Sequence, residues 1–164
     1  VSTRLALEVL ISAPLEGASV LDVGCGSGVL AVAVASIGSH PVVGCDIDAA
    51  AMVATRANAE RNGVVVEVVD GSVDSITAGE APREFDIVVA NIEATILRGL
   101  VPGIAAHVGA GGRLILSGML DTQVDSVIDM LVAAGGWEAM RRIDSEGWSA
   151  VELRRGRRLR PHRG

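Results

Sequence analysis

A chain of 164 residues, 49% hydrophobic and 21% charged, has material for one substantial core, which excludes a disordered chain and argues against two large domains. No apolar run approaches the roughly 20 residues of a membrane helix, and the N-terminus lacks the basic-then-apolar order of a signal peptide, so a cytoplasmic protein with no membrane partner is expected. All twenty acidic residues precede Arg154 and face only eight arginines there, whereas six arginines crowd the last eleven residues, so an acidic body unlike a general nucleic-acid binder ends in a basic tail.

In chain order, a short helical segment near Leu5–Ile11 leads to the near-continuous apolar run Ala18–Val23, a buried strand that enters a glycine cluster at Gly24, Gly26 and Gly28. Val29–Ile37 is apolar on every side and reads as a helix packed into the core, with Gly38 at its C-cap. Strand Pro41–Asp46, helix Asp48–Asn62 and strand Val64–Asp70 repeat the cycle, and Thr77–Arg83 follows as a polar loop. Phe85–Ala90 is a fourth apolar strand, Ala94–Val108 a helix kinked at Pro102, and Arg113–Ser117 a fifth strand. Val124, Val127, Ile128 and Leu131 share one face of a helix over Asp121–Ala134, with Asp121, Asp125 and Asp129 on the other. Trp137–Ile143 and Trp148–Leu153 flank Ser145-Glu146-Gly147, a connection so short that the two can pair only as an antiparallel hairpin. The alternation predicts an α/β fold with helices on both faces of a mostly parallel sheet, whose ligands bind at the Gly24–Gly28 loop. One domain is expected over 1–153, and 154–164 reads as a basic, unordered tail. Cys25 and Cys45 are too few for a disulfide scaffold and are not spaced as a metal knuckle, so buried thiols and no metal site are expected.

The string Val20-Leu-Asp-Val-Gly-Cys-Gly-Ser-Gly28 sets Asp22 at a strand end before three alternating glycines, which let the backbone turn sharply and approach a ligand closely. Val29 occupies the third glycine position of the dinucleotide fingerprint, so NAD does not fit. The spacing suits a nucleoside with an amino-acid tail, the build of S-adenosylmethionine. Asp46 ends the second strand twenty residues beyond Gly26, where a carboxylate can accept both ribose hydroxyls. Asp48 is better placed as the N-cap of the next helix. Asp70 ends the third strand and fits either an adenine edge or a turn with Gly71. Asn91 follows five apolar-strand residues, so its amide faces the pocket or closes a turn; with the Ile92 carbonyl it offers acceptors that can aim an amine lone pair at a sulfonium methyl group. Glu93 either holds a cationic substrate or favours the N-terminus of the following helix, the second being the simpler. His40, His107 and His162 form no relay, and no serine or cysteine nucleophile has a base.

With these residues on view, the sequence resembles class I S-adenosylmethionine-dependent methyltransferases and, more narrowly, the catalytic domain of the ribosomal protein L11 methyltransferase (PrmA) family. The likeness rests on Ser2-Thr-Arg-Leu-Ala-Leu-Glu8, Val20–Ala31, Val43-Gly-Cys-Asp-Ile-Asp48, Asn58-Ala-Glu-Arg-Asn-Gly63, Val88-Val-Ala-Asn-Ile92, and Leu114-Ile-Leu-Ser-Gly118 followed by Gln123. It implies a Rossmann-like, doubly wound seven-stranded sheet in the order 3-2-1-4-5-7-6 with an antiparallel edge hairpin. It also implies methyl transfer from S-adenosylmethionine to an amine of a protein substrate, a ribosomal protein above all, with Asn91 and Ile92 as the catalytic pair. The cofactor-binding set is then Thr3, Asp22, Gly24, Gly26, Gly28, Asp46, Ile47, Asp70 and Asn91. In the family a Gly-Thr-Gly-x-His-Pro segment and a recognition domain precede the position of Ser2, and neither is within these residues, so a truncated enzyme or one working with a separate recognition module is expected. Where the family reads Asn-Ile-Leu-Ala, this chain has Asn91-Ile-Glu-Ala94. The alternatives are a stand-alone methyltransferase for a small molecule or nucleic acid, against which stands the missing Pro-Pro-aromatic continuation after Asn91, and a non-catalytic cofactor-binding module. The arginine tail, outside the resemblance, offers weak contact to RNA, a solvated terminus being the commoner explanation.

Overall fold

The computed structural model describes residues 1–78 and 81–156. Helix α1 (Ser2–Leu10) precedes strand β1 (Val20–Val23), helix α2 (Val29–Ile37), strand β2 (Val42–Asp46), helix α3 (Ala49–Arg61) and strand β3 (Glu67–Asp70). Strand β4 (Phe85–Asn91), helix α4 (Ala94–Ala106), strand β5 (Val108–Leu120), helix α5 (Asp121–Ala133), strand β6 (Trp137–Ser145) and strand β7 (Trp148–Arg155) follow. They form one seven-stranded sheet in the order β3-β2-β1-β4-β5-β7-β6, the order the resemblance implies. β1 to β5 run parallel, and β7 pairs antiparallel with both β5 and β6.

The two-residue period of β4 divides the core between the faces of the sheet. Ile87 and Val89 point to a cluster that includes Leu5, Val9, Leu30 and Val34 from α1 and α2, while Val88 and Ala90 join Leu97, Ile104, Val124 and Val127 from α4 and α5. A helix layer therefore covers each face, and the strands between them read as unbroken apolar runs because neither side meets water. Full burial of a leucine or isoleucine of this kind contributes about 1.5–3 kcal/mol relative to exposure. Asp48 caps α3 as expected, its carboxylate accepting from the Ala50 N–H at 2.9 Å.

Several local features differ from the sequence reading, among them the start of α1, which lies at Ser2 and not near Leu5. β5 is thirteen residues long because it continues through Gly109-Ala-Gly-Gly112, which reads as a turn in isolation. β3 starts only at Glu67, Val65 before it being 79% exposed. The expected loop over Thr77–Arg83 contains a two-residue antiparallel ladder, Thr77–Ala78 with Ala81–Pro82. The boundary placed after Leu153 is corrected as well, since β7 runs through Arg155. Arg154 pairs with Glu138 of β6 at 2.8 Å, and the Arg155 guanidinium donates to the Val108 carbonyl. Two arginines of the expected tail are thus strand residues. The other four, and the RNA contact expected of them, lie outside the described residues. Among the described residues no helix is long and apolar enough to cross a membrane.

Candidate functional site

The carboxyl ends of β1, β2, β3 and β4 meet at one rim, where Asp46 lies in register with Asp70, and Val23 with both Cys45 and Ala90. From this rim the glycine loop is held on several sides. The N–H groups of Gly24 and Cys25 donate to the Cys45 carbonyl at 2.8 and 3.0 Å. Asp46 accepts from the Gly26 N–H with one carboxylate oxygen and from the Asp48 N–H with the other, both at 2.9 Å. On the far side α3 supplies the Thr55 hydroxyl to the Gly26 carbonyl and the Asn58 amide to the Ser27 carbonyl, each at 2.9 Å. Gly28 packs so closely on this helix, at a φ of +76°, that a Cβ there would stand 2.6 Å from Thr55 Cγ2. Thr55 and Asn58 were absent from the expected site. Asn58 had a signal in the motif Asn58–Gly63, whereas Thr55 acts across the fold and had none.

Asp22, expected among the cofactor-binding residues, is only 1% exposed and lies beneath the loop, where its carboxyl accepts from the Ala31 N–H at 3.1 Å in the first turn of α2. The reason is that β1 is an interior strand, between β2 and β4, and is buried along its length. Burial pushes the Asp22 carboxyl up to about 7, with the Ala31 N–H opposing and the nearby Asp46 charge reinforcing the shift. Because the folded state binds this proton more tightly than the unfolded chain does, stability contributed by Asp22 is present below about pH 4 and is lost as the pH rises through about 7, by at most about 4 kcal/mol. Asp22→Asn keeps an acceptor for Ala31 and removes the charge. Urea unfolding from pH 4 to 8 should then show a smaller fall in stability for the variant than for the wild type; superimposable pH profiles would contradict the assignment.

Two cavities flank the segment Asn91–Glu93. The first, about 390 Å³, is an apolar slot lined by Gly24, Asp46, Ile47, Val73, Ile92, Ile96 and Leu100 among others. Ile47 reaches it from an 81% exposed position, and Asp70 stands exposed at the neighbouring strand end. The second, about 550 Å³, is lined by Ser2, Asn91, Glu93, Gly118, Leu120, Gln123 and Trp148. Ile92 is confined between two glycines: a Cβ on Gly24 would lie 3.0 Å from its Cδ1, and one on Gly118 only 2.5 Å from its carbonyl oxygen. Gly118 has a φ of +85°, so this position combines a close approach with a left-handed backbone and admits only glycine without displacement. It too was missing from the expected site, although the Leu-Ser-Gly motif carried its signal.

The Asn91 amide is oriented by α1, its Nδ2 donating to Thr3 Oγ1 at 3.0 Å. Its Oδ1 is buried and is the one buried side-chain polar atom among the described residues without a hydrogen-bond partner. A buried acceptor left in this way costs about 1–3 kcal/mol, so its position asks for a donor. Cys25 and Cys45 are buried free thiols, which burial pushes up to about 11 and about 12, and they bring no reactive thiolate to the rim. Among the described residues no group of His, Cys, Asp and Glu is arranged to hold a metal ion.

Sheet order, glycine loop and strand-end acids together define the Rossmann-like fold of the class I methyltransferases. A crystal structure of the ribosomal protein L11 methylase from Lactobacillus delbrueckii subsp. bulgaricus matches with a TM-score of 0.85 and 29% identity, over 94% of this chain and 79% of that one. An RNA methyltransferase from Salinibacter ruber, solved in complex with S-adenosyl-L-homocysteine, matches in fold with a TM-score of 0.71 and 20% identity, over 98% and 96% of the two chains. The family model for ribosomal protein L11 methyltransferase (PrmA) matches residues 1–156, and the chain belongs to that family. The ribosomal protein L11 methyltransferase of Dechloromonas aromatica is 50% identical over 127 residues, 77% of this chain and 41% of that protein. Its counterpart in Laribacter hongkongensis is 42% identical over 150 residues, 92% and 48% of the two. The chain thus spans about half the length of the curated relatives it matches.

Proposed function

We propose that the chain is an S-adenosylmethionine-dependent N-methyltransferase acting on amine groups of a ribosomal protein, at a cytoplasmic location. The observation that carries this reading is the buried, unpartnered Oδ1 of Asn91, a residue that lines the second cavity and whose neighbour Ile92 lines the first. Family membership and the names of the relatives support the choice of substrate.

The residues fit the cofactor in kind. The apolar slot suits an adenine, the Asp46 carboxylate at its edge has lone pairs left for ribose hydroxyls, and the loop Gly24, Gly26 and Gly28 offers close backbone approach. Thr3, Ile47, Asp70 and Asn91 complete the contact surface, and Asp22 acts from below by fixing the start of α2 against the loop. S-adenosylmethionine, when bound, supplies an electrophilic methyl group on a sulfonium. This chain's part is orientation: Asn91 Oδ1 and the Ile92 carbonyl accept the N–H groups of a neutral amine and so point its lone pair, while Thr3 and Gly118 hold those two acceptors in place. No acid–base residue is required beyond solvent.

The test is incubation of the chain with methyl-labelled S-adenosylmethionine and purified ribosomal protein L11, with the labelled positions mapped by mass spectrometry. Label on lysine or N-terminal amines is expected. Cofactor binding by calorimetry without label on the protein would instead favour a small-molecule or nucleic-acid methyltransferase.

A further inference from the structure

We propose that Glu93 and Trp148 select the protonated form of the substrate amine, so that the second cavity takes lysine-like side chains in preference to neutral side chains of the same shape. This rests on the methyl-transfer reading and deepens it. Lysine and N-terminal amines carry a proton at neutral pH, so such a substrate reaches the protein as a cation. The walls of the cavity hold one charged side chain, the acid Glu93, and no basic one. An ammonium entering there meets a carboxylate and the half-buried Trp148 indole, two groups that attract cations by charge and by the ring quadrupole. Leu120 and Trp148 stand opposite each other in the β5–β7 register, giving the methylenes of a long side chain an apolar wall.

Glu93 is also held in place. It is the N-cap residue of α4, its carbonyl accepts from the Ile96 and Leu97 N–H groups, and the Thr95 hydroxyl donates to its Oε1 at 2.6 Å. That bond leaves the carboxylate further lone pairs for a ligand. Glu93 acts before the chemical step. The ammonium proton passes to water at this exposed residue, and the nitrogen lone pair so released is the one that Asn91 orients. A negative charge at the start of α4 is favourable for the helix alone, and that role affects stability without creating any preference among ligands.

The experiment uses the chain labelled with 5-fluorotryptophan, whose two 19F resonances report separately on Trp137 and Trp148. Nα-acetyl-lysine amide and its isosteric neutral counterpart, Nα-acetyl-2-aminoheptanoic acid amide, are titrated into wild type and Glu93→Gln, with S-adenosylmethionine affinity followed by calorimetry in both. The lysine derivative should move the Trp148 resonance, and not that of Trp137, at a concentration at least about tenfold lower than the neutral derivative. In Glu93→Gln that preference should nearly vanish, with cofactor affinity unchanged. Equal response to the two probes in the wild type, or a preference that survives Glu93→Gln, overturns the proposal. Failure of S-adenosylmethionine to bind a chain that keeps the lysine preference counts against the methyl-transfer reading alone.

Discussion

Under the proposed function, Asn91→Ala should lower methyl transfer about a hundred- to thousandfold, the loss expected when one well-placed polar contact of a transition state, worth about 2.7–4 kcal/mol, is removed. The fold should survive, because β4 is anchored by Ile87, Val88 and Val89, all at most 1% exposed, and the substitution touches none of them. It removes the acceptor that lacks a partner and the donor that meets Thr3, and the second loss is mild because Thr3 is exposed to water. Asn91→Asp sharpens the test. It preserves size and an acceptor oxygen, and Thr3 can turn its hydroxyl to donate, so the Asp variant should retain more activity than the Ala variant. Thermal unfolding and cofactor calorimetry accompany the rate measurements. Wild-type rates in both variants would show that Asn91 does not take part.

Asp46→Ala should weaken S-adenosylmethionine binding about ten- to hundredfold, the equivalent of roughly 1.5–3 kcal/mol for a charge-assisted pair of hydrogen bonds. The structure adds a second source for this loss. Asp46 ties down the Gly26 and Asp48 N–H groups, so its removal also frees the loop that must be ordered when ligand binds. Asp46→Asn separates the two, since it keeps one acceptor for the backbone while losing the charge; its affinity should fall between those of wild type and Ala. Calorimetry showing unchanged affinity for Ala would remove Asp46 from the site. NAD should not bind any of the three proteins, because Val29 occupies the place of the fingerprint's third glycine.

What the sequence disclosed was whatever is written locally. α2 could be delimited to the residue because an all-apolar run is bounded by Gly28 and Gly38, both of which adopt positive φ in the structure. Asp48 and Asn62 announced the ends of α3, and the strand-end positions of Asp46, Asp70 and Asn91 followed from counting along apolar runs. Properties decided by distant partners were not legible. Whether Asp22 faces a ligand or the interior depends on β1 being covered on both sides, which no neighbouring residue reveals. Arg154 and Arg155 look like solvated charge until Glu138 and the Val108 carbonyl are placed beside them. Gly118 shows why a motif can be recognised without its cause: only the approach of the Ile92 carbonyl, twenty-six residues earlier in the chain, explains the need for a missing side chain.

The attachment of α1 to the rim has a kinetic consequence. Thr3 meets Asn91 across 88 residues of sequence, and the Ser2 carbonyl accepts from the Ser117 hydroxyl across 115. Among the described elements α1 precedes its main partners, β5 and β7, by most of the sequence, so until those strands are made its buried face of Leu5, Val9 and Leu10 is covered only in part, by α2 and β4. Closure over such separations is entropically slow, which makes docking of α1 a late event in folding. Amide protons of Ser2 to Leu5 should thus gain protection after those of β1 and β4 in pulse-labelled refolding, and the rim would become competent for ligand only at that final stage.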